Sequence, residues 1–112
     1  MKFFIAAGHG GSDPGSGSGG VNEREETIKA VNGAVEIINQ IDTYPHEVVL
    51  VPHELDLRPT VKYINDLSNN PGEDVCVEVH LNSNVGQPGT GTETYYGKRD
   101  LALTLQKNIV TI

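Results

Sequence analysis

The stretch from Gly8 to Glu23, GHGGSDPGSGSGGVNE, constrains this 112-residue chain more than any other. Seven of the thirteen residues from Gly8 to Gly20 are glycine, so the backbone can wind close to another group at little steric cost. A short apolar run, Phe3 to Ala7, leads into the loop and reads as a buried strand over residues 2–7, stopped by Gly8. On the far side Asn22 reads as a helix N-cap, with Glu25 three residues on. Glu23, Glu25 and Glu26 suit the positive end of the helix dipole. Ile28, Val31, Val35 and Ile38 then recur at helical spacing and predict a helix over residues 22–40. A glycine loop set between a strand and a helix, with His9 at its front and an acidic residue closing it, is an address for a ligand.

Tyr44-Pro45 ends the helix, and EVVLV at residues 47–51 predicts a second buried strand rich in β-branched residues. Pro59 fits the first turn of another helix, with Val61, Ile64 and Leu67 on one side and Asn69-Asn70-Pro71-Gly72 as its stop. DVCVEVH at residues 74–80 predicts a third strand. Its valines 75, 77 and 79 share one face, and Cys76, Glu78 and His80 share the other. A second Gly/Pro loop runs from Leu81 to Gly91, TETYY at residues 92–96 reads as a fourth strand, and Leu101, Leu105 and Ile109 place a helix from about residue 99. Strand and helix alternate, so the fold class is α/β with an open, mostly parallel sheet and flanking helices. No repeat or linker divides the chain, which predicts a single domain over residues 1–112.

Composition removes several function classes. The net charge of −7 comes with no basic cluster, which excludes nucleic acid as a partner, because phosphate neutralisation needs grouped Lys and Arg. The single cysteine, Cys76, excludes a disulfide framework or a Cys-rich zinc site, and is expected to pack in the sheet. Apolar runs fall far short of the roughly 20 residues of a membrane span. Lys2 followed by Phe3 to Ala7 is too short an apolar run for a signal peptide.

Ligands of open α/β sheets gather at the carboxyl ends of the strands. His9 follows the first strand, His80 ends the third, and Glu23 opens the helix that starts at the same edge. Two imidazoles and one carboxylate from three segments make the donor set of a catalytic zinc site with an open fourth position. Glu25 or Glu26 takes the place of Glu23 if the helix begins later. His53 follows the second strand and is either a cleft residue or a solvated one, whereas His46 stands at the opposite edge. Glu78 lies two residues before His80 on one strand face and is either an acceptor orienting that histidine or a buried hydrogen-bonding group. Glu93, in the fourth strand, is read as structural. Two alternatives stand beside the metal reading. Gly15 to Gly20 matches G-x-G-x-x-G before a helix, but begins eight positions after Ala7 rather than directly after the strand. The other alternative is a flexible Gly/Ser loop with no ligand.

Ala7-Gly8-His9-Gly10-Gly11-Ser12-Asp13-Pro14-Gly15, followed by Asn22-Glu23, resembles the opening of the zinc-dependent N-acetylmuramoyl-L-alanine amidases, the Amidase_3 family. Val79-His80-Leu81-Asn82-Ser83 is similar to that family's second histidine motif. Gly91 to Tyr96 is similar to the strand that follows, and Leu101-Ala102 to Gln106 to the next helix. The resemblance implies an amidase-like three-layer architecture, with His9, Glu23 and His80 as ligands of one Zn2+. Asn82 and Ser83, which follow the second histidine, either bind substrate or orient the site. It implies peptidoglycan as the partner and, as the bond cut, the amide between the lactyl group of N-acetylmuramic acid and L-alanine of the stem peptide.

The chain departs from the family pattern in two places. Family members continue through a further strand bearing a glutamate that acts with the metal, and no residue here matches it. Glu78 is the nearest substitute by position, as a partner of His80, and the general base is left unassigned. The stretch from Val51 to Asp74 is also more compact, keeping Arg58 but not the family's longer pattern. These departures predict a domain without the family's C-terminal strand and helix, with an open sheet edge that favours self-association. They keep open a non-catalytic zinc or wall-binding module, or an inactive fragment. Action on the cell wall then follows either from phage-type release or from membership of a longer secreted protein.

Overall fold

The computed structural model describes residues 1–13, 15, 17, 18, 20–81, 93–97 and 99–111, with backbone alone for 17, 18 and 108–111. The chain divides into two compact units, residues 1–82 and 83–112.

In the first unit β1 (Lys2–Ala7) is the central strand of a parallel sheet. β2 (Gly17–Ser18) and β3 (Val21–Asn22) form a small antiparallel hairpin within the glycine loop. There follow α1 (Glu23–Asn39), β4 (Glu47–Leu50), α2 (Leu57–Leu67) and β5 (Val75–Val79). The sheet order is β4-β1-β5, so the chain crosses β1 between its last two strands. β1, α1, β4 and β5 stand within two residues of their sequence-predicted bounds, α2 falls where Pro59 to Leu67 place a helix, and the β2–β3 hairpin has no counterpart in the sequence reading.

The register assigns the faces. Phe4 stands level with Val49 and Cys76, and Ala6 with Glu78, so these share one face of the parallel ladder. On that face Phe4, Ala6 and Val51 form the buried core, with Val49 and with Tyr63 and Ile64 of α2 packed against it. Burying a side chain such as Phe4, 1% exposed, contributes about 2–3 kcal/mol. α1 packs against β1 and β5, with Val31 and Thr27 fully buried. The α2 face over β5 is open. Cys76 stands in the sheet as expected, in β5, but on an exposed part of it. One helix per face does not cover three strands evenly.

The second unit contains α3 (Arg99–Thr111), with Ala102 buried. The fourth strand expected at residues 92–96 is absent where described: residues 93–96 are in no regular element. A strand needs a partner for its backbone groups, and no other strand of this unit is described. Here the Thr94 hydroxyl instead donates to Gln106 Oε1 of α3 at 2.5 Å, while Tyr95 stays exposed and its hydroxyl donates to Glu93.

Candidate metal centre

Three segments of the first unit meet at the carboxyl end of the sheet. β1 ends at Ala7, and the Gly8 N–H donates to the Val79 carbonyl at 2.7 Å, which ties the start of the loop to the end of β5. His9 follows with φ of 58°, and among the described non-glycine residues it alone has a positive φ. That left-handed conformation costs about 1–3 kcal/mol and is held only where surrounding contacts over-determine it. Here the Gly11 N–H donates to the His53 carbonyl and the Ser12 N–H to Asp56 Oδ1. Arg24 Nη1 donates to the Gly11 carbonyl at 2.8 Å.

Glu23 is fixed by the start of α1. Asn22 is extended and its side chain accepts from the Glu25 N–H at 3.1 Å, so the helix starts at Glu23. Glu23 is thereby turned inward and is 1% exposed, whereas Glu25 and Glu26 face solvent and Glu26 pairs with Lys29. Of the three glutamates, only Glu23 is buried. One turn on, the buried Thr27 hydroxyl lies 2.9 Å from the Glu23 carbonyl and 3.3 Å from the Gly8 carbonyl, donating to one at a time.

Glu23 Oε1 stands 3.3 Å from His9 Nε2 and 3.3 Å from His80 Nδ1, and accepts the Leu81 N–H at 3.0 Å. The two imidazoles meet edge to face, centroids 5.1 Å apart. One ligand atom from each of His9, Glu23 and His80 lies within 4.8 Å of the others, so the three could hold a metal ion. The remaining ring nitrogens face carboxylates. His9 Nδ1 is 2.9 Å from Asp13 Oδ2, and His80 Nε2 is 3.4 Å from Glu78 Oε2. With a proton on each of these outer nitrogens, the inner lone pairs of both rings converge beside Glu23, which is the arrangement a cation requires. The donor set therefore fits a divalent metal by geometry.

Asp13 also accepts the Gly15 N–H at 2.9 Å. The Asp13 hydrogen bond raises the His9 pKa above its usual value, and the same bond holds the Asp13 carboxyl below the usual carboxylate range. Two glycines make room for the rings. A β-carbon on Gly8 would lie 2.6 Å from His80 Cε1. One on Gly15, at φ of +68°, would lie 2.7 Å from His9 Cδ2 and 2.8 Å from Glu23 Oε2.

A groove of about 200 Å³ opens beside the cluster, with His9, His80, Asp13, Glu78, Leu57 and Thr60 among its lining. His53 does not line it: its Nε2 pairs with Asn32 of α1 at 3.2 Å, and its backbone supports the loop. His46 stacks edge to face on Tyr44. Asn82 and Ser83 lie outside the described residues. Of the G-x-G-x-x-G glycines, Gly15 lies against His9 and Glu23 and Gly17 stands in β2, so the pattern does not form the strand-to-helix turn that the nucleotide alternative needs. In the second unit a groove of about 320 Å³ on α3 is lined by Glu93, Arg99 and Leu103 among others, but by no histidine.

Sequence reasoning left Asp13, Asp56 and Arg24 without roles. Asp13 was findable only as a carboxylate four residues from His9, a spacing that carries no meaning outside a helix. The Asp56 contact spans 44 residues and had no local signal.

Comparison with known proteins gives consistent matches. The family model described as "Amidase_3: N-acetylmuramoyl-L-alanine amidase" matches residues 3–111. The chain is 32% identical over 95 residues to the sporulation-specific N-acetylmuramoyl-L-alanine amidase of Bacillus subtilis (strain 168), covering 85% of this chain and 35% of the relative. It is 30% identical over 96 residues to N-acetylmuramoyl-L-alanine amidase CwlM of Bacillus licheniformis, covering 85% of this chain and 36% of the relative. The chain thus spans about a third of the length of these curated relatives. No solved structure gives a significant match.

Proposed function

The chain belongs to the Amidase_3 family of N-acetylmuramoyl-L-alanine amidases, and from that premise we propose that residues 1–112 make one amidase domain acting on peptidoglycan. The bond it would cut joins the lactyl group of N-acetylmuramic acid to the first L-alanine of the stem peptide. One zinc ion would be held by His9 Nε2, His80 Nδ1 and the Glu23 carboxylate. The observation that carries this reading is the convergence of three ligand atoms within 4.8 Å, with the outer nitrogen of each imidazole set against a carboxylate. When bound, such an ion supplies Lewis acidity that polarises a carbonyl and acidifies water.

The chain's own residues do the rest. Asp13 keeps the proton on His9 Nδ1, and Glu78 does the same at His80 Nε2 over a longer distance. The Leu81 N–H fixes Glu23 Oε1 from the side of β5. The groove receives the substrate beside the cluster. Action on the cell wall agrees with the names of the relatives. Among the described residues no helix is long and apolar enough to cross a membrane.

A second reading is a zinc-holding wall-binding module without turnover. Digestion of purified peptidoglycan by the 112-residue chain separates the two. Release of free stem peptides bearing an N-terminal alanine is the expected result. Zinc-dependent sedimentation with the wall, without peptide release, would establish the binding module instead.

A further inference from the structure

The groove beside the cluster has two unlike walls. One carries carboxylates, Asp13 and Glu78, each set against a histidine of the cluster. The other is apolar, built by Leu55 and Leu57 at the entry to α2. Leu57 is 72% exposed, although it belongs to a helix whose Tyr63 and Ile64 pack on the core. It therefore contributes little to the fold's own burial, and its place is fixed from behind. Asp56, the residue before it, caps α2 in an extended conformation while its side chain holds Ser12 of the loop. The Thr60 N–H donates to the Asp56 carbonyl at 2.9 Å, closing the first turn. An apolar side chain left in water beside the cluster, on a helix start tied to the loop, is suited to meet an apolar group of whatever the cluster acts on.

Resting on the amidase reading, we propose that Leu57, backed by Leu55, is a specificity-determining residue that receives a methyl group flanking the scissile amide. The lactyl–alanine amide carries such a methyl on each side of the bond. A groove of about 200 Å³ accommodates that small segment rather than a saccharide together with a peptide. The contact adds apolar burial to substrate binding and leaves the metal ligands untouched.

The test is calorimetric binding of N-acetylmuramoyl-L-alanyl-D-isoglutamine to the zinc-loaded chain, wild type against Leu57→Ser, with zinc content and Tm measured on both. Two analogues, one lacking the lactyl methyl and one with glycine for alanine, identify which methyl is received. We expect unchanged zinc content and Tm, and a Kd raised about three- to tenfold in Leu57→Ser, the scale set by one or two buried methyl-sized groups. One analogue should lose about as much on wild type and nothing further on the variant. Equal Kd values for wild type and Leu57→Ser would overturn the inference, as would a failure of wild type to bind at all. Peptide release in a parallel digest reports separately on hydrolysis: binding without release sinks the hydrolase reading and leaves the Leu57 contact standing.

Discussion

The two histidines of the cluster are held by very different means. On the loop side, His9 sits in a segment pinned by His53, Asp56 and Arg24, and its Nδ1 makes a 2.9 Å contact with Asp13. On the strand side, His80 follows β5, a strand at the edge of the described sheet, and its Nε2 contact with Glu78 is 3.4 Å with both side chains over 40% exposed. Glu23 is the shared member, touching both rings and the Leu81 N–H. The difference teaches that the loop side is held by several separate contacts, whereas the strand side is held largely through Glu23.

The largest effect should come from breaking the loop side at Gly15. Gly15→Ala forces a β-carbon against both His9 and Glu23 at a positive φ, and should lower stability by about 1–3 kcal/mol while weakening zinc binding. Gly33, inside α1 with open space around it, is the control: Gly33→Ala should raise stability by about 0.5–1 kcal/mol. Thermal unfolding of the two variants checks the pair, and equal shifts would refute the pinned-loop account.

The two carboxylates sharpen the comparison at the next scale. Asp13→Asn should weaken zinc binding by about 10–100-fold, the usual range for a partner that orients a ligating histidine. Glu78→Gln should cost markedly less, because its contact is longer and more solvated. Competition with a fluorescent chelator measures both, and the reverse order would show that β5, not the loop, orders the centre.

The smallest effect is a pH dependence of the metal-free chain. The folded His9 pKa is raised above 6.5, so its share of stability is present below that value and is lost as pH rises through the folded pKa. The folded Asp13 pKa is lowered below 3.8, so its share is present above that value and is lost as pH falls through the folded pKa. The Tm difference between wild type and Asp13→Asn should therefore be greatest near pH 5 and shrink toward pH 8. A difference that grows with pH would mean that Asp13 acts on something other than His9.

Much of this arrangement was legible in the sequence because it depends on local rules. Strand ends put His9 and His80 on one edge, and Asn22 reads as the cap of α1, whereas Glu25 and Glu26 stay open beside Glu23 in the sequence and only the cap geometry turns Glu23 inward. The parts that escaped depend on partners distant in the chain. TETYY has the alternation of a strand, but alternation cannot supply a neighbour to pair with, and Thr94 bonds α3 instead. Cys76 sits on a strand face that reads as inner, yet α2 leaves that part of the face uncovered. Asp56 carries no role in the sequence reading; it caps α2 by backbone conformation, but its carboxylate serves Ser12, 44 residues away, rather than its own helix.

The most direct test of the central claim is zinc per chain after exhaustive dialysis against metal-free buffer, for wild type, His9→Ala, Glu23→Ala and His80→Ala. The account predicts about one zinc in wild type and close to none in Glu23→Ala and in either histidine variant, since three protein ligands leave no redundancy. A wild-type chain without zinc, or variants that retain it, would contradict a centre built on His9, Glu23 and His80.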